Sequence, residues 1–185
     1  MKRSVLLLTL AALALAAPAF AQSDLGFKRI GGAIGIVDPE AANTTFQLGI
    51  LADHGTIAPH WGLESHLDYW SQSDDLFGVK NSFRDLALGA RVKYHFVVAN
   101  PKVQPFAGAG LGLHFLKAEA TIPAFGGFPA SSVEASDTKL GFDLGGGVGT
   151  PLNAKVDLIG ETWFGVVDSM NQWSLRAALS YKLGQ

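Results

Sequence analysis

From His60 to Tyr69 the chain alternates, with Trp61, Leu63, Leu67 and Tyr69 at odd positions and His60, Glu64, His66 and Asp68 at even ones. Successive side chains of a β-strand point to opposite faces, so this spacing makes one oily face and one ionic face. The pattern recurs. Leu86, Leu88, Ala90, Val92, Tyr94 and Phe96 oppose Asp85, Arg91, Lys93 and His95, and Leu140, Phe142, Leu144 and Val148 oppose Lys139 and Asp143. Near the C-terminus Trp173, Leu175, Ala177, Leu179, Tyr181 and Leu183 oppose Ser174, Arg176 and Lys182. The segment 154–166 is less regular, because Ile159 and Trp163 join Asp157 and Glu161 on the polar side.

Clusters of Pro, Asn, Asp and Gly interrupt the alternation at regular intervals. They divide the chain into eight predicted strands, at 26–37, 44–53, 59–71, 82–97, 103–117, 137–150, 154–166 and 171–183. The fold class expected is all-β, an eight-stranded antiparallel up-and-down transmembrane β-barrel.

Lys2 and Arg3, an apolar run from Val5 to Ala17, and the small-x-small triplet Ala19-Phe20-Ala21 predict a signal peptide over 1–21, leaving 22–185 as one barrel domain. The apolar run is shorter than the ~18 to 20 residues of a spanning helix, and no later segment supplies one. Membrane insertion would therefore be by strands. At ~10 residues per spanning strand, eight strands with their turns need roughly 150 to 170 residues, which the mature length matches.

Alternation alone leaves open which face is outside. A soluble periplasmic barrel binding a lipid or another apolar ligand would show the same period. Two features favour oil outside. Trp61, Tyr69, Tyr94, Phe96, Trp173 and Tyr181 fall toward strand ends, as an aromatic girdle requires. The polar face carries both signs: Arg29, Arg91, Lys93, Lys139, Arg176 and Lys182 against Asp53, Glu64, Asp68, Asp85, Asp143, Asp157 and Glu161. An enclosed lumen needs that balance, because an unpaired buried charge costs several kcal/mol. Arg91 or Lys93 is expected to pair with Glu64 or Asp68 across adjacent strands. Short connections at 54–58, 99–102 and 151–153 are expected in the periplasm, and longer outer loops at 72–81 and 118–136. The second of these carries Phe125 and Phe128 as a candidate contact surface.

Val103-Gln-Pro-Phe-Ala-Gly-Ala-Gly-Leu-Gly-Leu113 and Leu140-Gly-Phe-Asp-Leu-Gly-Gly-Gly-Val148 resemble strands of the outer-membrane protein β-barrel domain family, which includes OmpA-like and opacity-type surface proteins. Arg176, Ala178, Tyr181 and Leu183 resemble the C-terminal assembly signal of such barrels. The resemblance implies a bacterial outer-membrane location, outer-membrane lipid as solvent, and the barrel assembly machinery as a partner during biogenesis. It names no surface ligand.

Chemistry is harder to place. A net charge of −2 gives no basic field for nucleic acid, and the absence of cysteine removes thiolate sites and disulfides. Gly108, Gly110 and Gly112, and the run Gly145 to Gly147, read as room for lumen side chains rather than a phosphate loop, since no helix follows. His60, His66, His95 and His114 fall on the polar face and read as hydrogen-bonded lumen residues, with no metal or cofactor expected. A lipid A-modifying enzyme would need His, Ser and an acid together at the membrane face. His114 has no serine near it on its own face, Ser65 faces the oily side, and Ser174 and Ser180 have no partner, so no catalytic residue is assigned. The expectation is a structural or surface-exposed outer-membrane protein with an ionically plugged lumen, and with minor small-solute permeability or adhesion through its outer loops.

Overall fold

The computed structural model describes residues 23–40, 42–76, 78–124, 129–168 and 170–184. The strands in chain order are β1 (Asp24–Pro39), β2 (Thr45–Ala58), β3 (Trp61–Leu76), β4 (Val79–His95), β5 (Gln104–Ile122), β6 (Ser131–Pro151), β7 (Val156–Val167) and β8 (Met170–Lys182). Each pairs antiparallel with its sequence neighbours, and β1 pairs with β8 from Arg29↔Lys182 to Pro39↔Gln172, which closes the barrel. The expected all-β, eight-stranded up-and-down architecture is the one observed. Residues 1–22, which contain the expected signal peptide, lie outside the described residues.

Polarity is inverted relative to a water-soluble domain. Leu88 and Leu111, mid-strand and outward, are 51% and 57% exposed, and Ile34, Leu48, Leu144 and Leu179 resemble them. Glu64, Asp68, Arg91, Lys93, Asp143, Glu161 and Arg176 are buried. Water would penalise an apolar exterior of this extent, whereas hydrocarbon requires it. Backbone groups meanwhile are satisfied by the closed ladder. Leu88→Arg should therefore destabilise the barrel by about 2–4 kcal/mol in lipid bilayers. Urea titration in vesicles measures this, and an unchanged midpoint would contradict an oily surround.

The outer connections differ from expectation. Most of the described residues in 72–81 and 118–136 are paired strand: β3 and β4 run together to Leu76↔Val79, and β5 and β6 to Ile122↔Ser131. The β3–β4 hairpin closes tightly at Gly78, whose φ of +81° is in the region glycine favours and whose N–H donates to Asp75 Oδ1 at 3.0 Å. These extensions escape the periodicity because the faces exchange polarity where they leave the apolar belt. Arg84, Lys117 and Glu119 sit on the outward side, while Phe83 and Leu116 turn inward and pack against Val37, Trp70 and Met170 at the top of the lumen. A reading that follows one oily face stops where that face changes sides.

Candidate functional site: the ionic lumen

Asp157 accepts from Arg29 Nη1 at 2.7 Å and lies 3.0 Å from Lys182 Nζ, forming the layer nearest the short turns. Above it Lys93 Nζ donates to Glu64 at 2.6 Å and to Glu161 at 3.2 Å. Arg176 donates from Nε to Glu161 at 2.6 Å and from Nη1 to Asp68 at 2.5 Å. Arg91 donates twice to Asp143, at 2.9 and 3.1 Å, and stands 3.6 Å from Asp68. His66 Nε2 lies 3.8 Å from Asp68 and 3.7 Å from Asp143. Nearest the end with the long hairpins, His114 Nδ1 is 2.7 Å from Asp85. Val37, Trp70 and Met170 then cap the stack. Such pairs compensate for the desolvation that isolated charges would suffer.

Glycines on adjacent strands make space for these groups. A Cβ at Gly35 would lie 2.6 Å from Arg176 Cβ, one at Gly110 2.6 Å from Arg91 Cγ, and one at Gly147 2.7 Å from Glu161 Cβ. Each of these glycines is the direct cross-strand partner of the large residue. The lumen thus packs by opposing large with none. Among the described residues, cavities of about 10 and about 50 Å³ lie between these side chains, and a single water needs roughly 10–15 Å³. Gln47 Oε1, His66 Nδ1 and Asp85 Oδ1 lack protein partners and line the smaller one.

Trp163 explains the irregular strand. Its side chain points into the lumen, 2% exposed, with the Arg91 guanidinium 4.2 Å above the ring. Gly145, its cross-strand partner, would bring a Cβ to 2.7 Å from the ring. Ile159 likewise turns inward against Ala33, Leu51 and Ala178. An aromatic on the ionic face is a cation platform here, not a break in the pattern.

Several sequence expectations need correction. Lys139 is outside the lumen stack; it pairs at the outer rim with Asp137 and Asp168, both at 3.0 Å. A long strand carries its last polar residues beyond the enclosed section. His60 is in the β2–β3 turn at φ 68°, its ring against Tyr94, so it too is absent from the lumen. Ser65 does face outward, but the structure supplies a partner that the sequence did not suggest: His54 Nε2 lies 2.8 Å from Ser65 Oγ, with Phe27 packed edge-on against the imidazole. Eleven residues of separation across a bulged register hide such a pair. Among the described residues no carboxylate bonds to His54, so the pair lacks the acid of a hydrolytic triad. Among the described residues no group of three or more His, Cys, Asp or Glu is placed to hold a metal.

The outward aromatics form two sets. Trp61, Tyr94 and Phe96 stack edge-to-face at 5.0 and 5.1 Å at the turn end, and Tyr181 also faces out there. Tyr69 and Trp173 face out at the other end. From Trp61 to Tyr69 the strand rises about 26 Å, or about 20 Å along the normal at a tilt of ~40°, close to the height of an apolar band. Phe125 and Phe128 lie outside the described residues.

With an oily wall around an ionic interior in place, sequence comparison is decisive: residues 7–182 match the model of the outer membrane protein β-barrel domain. The chain belongs to that family. This outer membrane barrel also resembles solved structures at low identity. Neisserial surface protein A shares 19% identity, with 85% of this chain and 96% of that chain covered and a TM-score of 0.62. A major outer membrane protein of Thermus thermophilus shares 16%, with 85% and 100% covered and a TM-score of 0.59. The attachment invasion locus protein of Yersinia pestis, solved with the heparin analogue sucrose octasulfate, shares 12%, with 85% and 97% covered and a TM-score of 0.55. No curated protein sequence matches significantly. Membership fixes the bacterial outer membrane as the setting, and with it a lipid surround.

Proposed function

We propose that this outer membrane barrel is a sealed, non-catalytic surface protein, anchored by its oily wall and meeting its surroundings through the tall sheet of β3–β6. Export by the 1–21 leader and insertion by the barrel assembly machinery through the β8 pattern Arg176, Ala178, Tyr181 and Leu183 complete the reading. One observation supports it: Lys93, Arg91 and Arg176 pair with Glu64, Asp68, Asp143 and Glu161 inside the barrel, beside cavities of about 10 and about 50 Å³. Residual permeability is limited to what such cavities pass.

Adhesion through the outer sheet is supported by its shape. β7 ends at Val167, opposite Gly141, whereas β6 begins ten residues earlier, at Ser131. Among the described residues that stretch of β6 is paired on one side only, and Val133 is 68% exposed. Exposed edges and apolar patches favour contact with other chains. An attachment protein of Yersinia pestis shares the fold.

Planar-bilayer recording on the purified, heat-modifiable protein tests the seal. No steady conductance step above the bare membrane is expected, and long-lived openings in most insertions would overturn it.

A further inference from the structure

Among the described residues the stretch Ser131–Leu140 of β6 is paired on the β5 side alone, because the ladder with β7 begins only at Gly141↔Val167. It is an open edge of roughly 30 Å at ~3.4 Å per residue. Thr138 shows which groups face the opening. Its N–H donates to the carboxylate of its neighbour Asp137 at 2.8 Å, pointing away from its β5 partner Phe115. In an antiparallel ladder every second residue directs its N–H to the same side, so Ser132, Glu134 and Ser136 present theirs to the opening as well. A side chain covers one of these donors; an added strand would satisfy the series.

The side chains define the strand that fits. On the inner face Val133 and Ala135 continue the apolar rungs of Ala120 and Ala118, and Val133 is 68% exposed. Around the opening the carboxylates of Glu134, Asp137 and Asp168 remain 53, 62 and 70% exposed beside their partners Lys117 and Lys139, and Lys139 is the one cation of β6. Apolar residues on one side of an incoming strand, with basic residues near the acids, match this edge. A second copy fits poorly. Copies in one membrane stand the same way up, so their β6 edges run in the same sense and cross, each strand being tilted by ~35–45°. The β3 edge beyond Trp70 runs the opposite way, but it would set Asp74 and Asp75 against these acids. We propose that the open edge of β6 takes an extended segment of another protein, alternating apolar and basic residues, as an added antiparallel strand. This site rests on the outer-surface reading, which places the edge outside the cell.

The test is hydrogen exchange, followed by NMR on the nanodisc-embedded protein, with an octapeptide of alternating valine and lysine. Saturating peptide should slow the amides of Ser132, Glu134 and Ser136 about tenfold and leave those of Val133 and Ala135, which face β5, unchanged. The same composition in block order, four valines then four lysines, and an alternating valine–glutamate octapeptide should each bind at least about tenfold more weakly. Ser136→Pro removes an edge donor without touching the β5 ladder and should weaken binding as much, whereas Asp24→Asn, at the opposite end, should not. Uniform or absent protection, equal binding of either control peptide, or equal binding by Ser136→Pro would each overturn the strand site. Protection of the same amides without peptide, growing with the protein-to-lipid ratio, would assign the edge to a second copy and overturn it too. Ser132→Cys introduces the sole cysteine and tests the surface reading separately. Labelling by a membrane-impermeant maleimide on intact cells supports that reading; labelling only after lysis would sink it, whatever the peptide does.

Discussion

Arg176→Met should lower the unfolding free energy by about 3–5 kcal/mol, because it leaves two buried carboxylates without their shared cation. Arg176 bonds Glu161 and Asp68, and all three side chains are almost wholly enclosed. The barrel cannot relax by hydrating them, since β1 and β2 close the wall at Gly35 and Gly49, where an added Cβ would already collide with Arg176 and Asp68. The surface pair Lys28–Asp24, largely exposed, is the comparison: Lys28→Met should change stability by less than about 1 kcal/mol. Urea unfolding in vesicles, followed by the heat-modifiable gel shift, measures both. An Arg176→Met midpoint indistinguishable from that of Lys28→Met would refute a stabilising lumen network. Adding Asp68→Asn to Arg176→Met should recover part of the loss, because one orphaned charge disappears.

The membrane section was legible because one rule governs it. Each residue there faces either lipid or lumen, and from Trp61 to Tyr69 or from Leu86 to Tyr94 every second side chain reports which. Balance of sign on the polar face pointed to pairing, and Lys93 does meet Glu64 at 2.6 Å. Distant pairings were not legible. Arg176 with Asp68 and Arg91 with Asp143 span the lumen, at separations of 108 and 52 residues, and strand-local reading reaches only the adjacent ladder. The outer extensions were missed for a different reason. Beyond the Tyr69–Leu86–Phe115 rung the solvent changes from hydrocarbon to water, so the oily side moves inward at Phe83 and Leu116, and the alternation loses continuity although pairing continues. The open edge of β6 follows from register alone, and register is set by a hairpin whose turn position the sequence left several residues uncertain.

Trp163 is where the stabilising role of the lumen and the proposed seal meet in one side chain. Trp163→Ala should cost about 3–5 kcal/mol, the range for deleting a large buried aromatic, since the rigid wall around it has little freedom to collapse. The ring occupies the gap over Gly145 and supports the Arg91 guanidinium at 4.2 Å and the Lys93 ammonium at 5.6 Å. Without it Arg91 retains Asp143, so the ionic stack survives while its apolar filler is lost. The void would join the cavity that Trp163 lines with His66, Arg91 and His114, extending a polar path along the barrel axis. Small, flickering conductance steps in planar bilayers are therefore expected for Trp163→Ala and not for Trp163→Phe, which keeps a ring over Gly145. If Trp163→Ala proves too unstable to insert, the stability loss of Trp163→Phe, expected to be less than half as large, still tests the filler role. A Trp163→Ala barrel as stable and as electrically silent as the unmutated protein would show that the ionic pairs alone close the lumen.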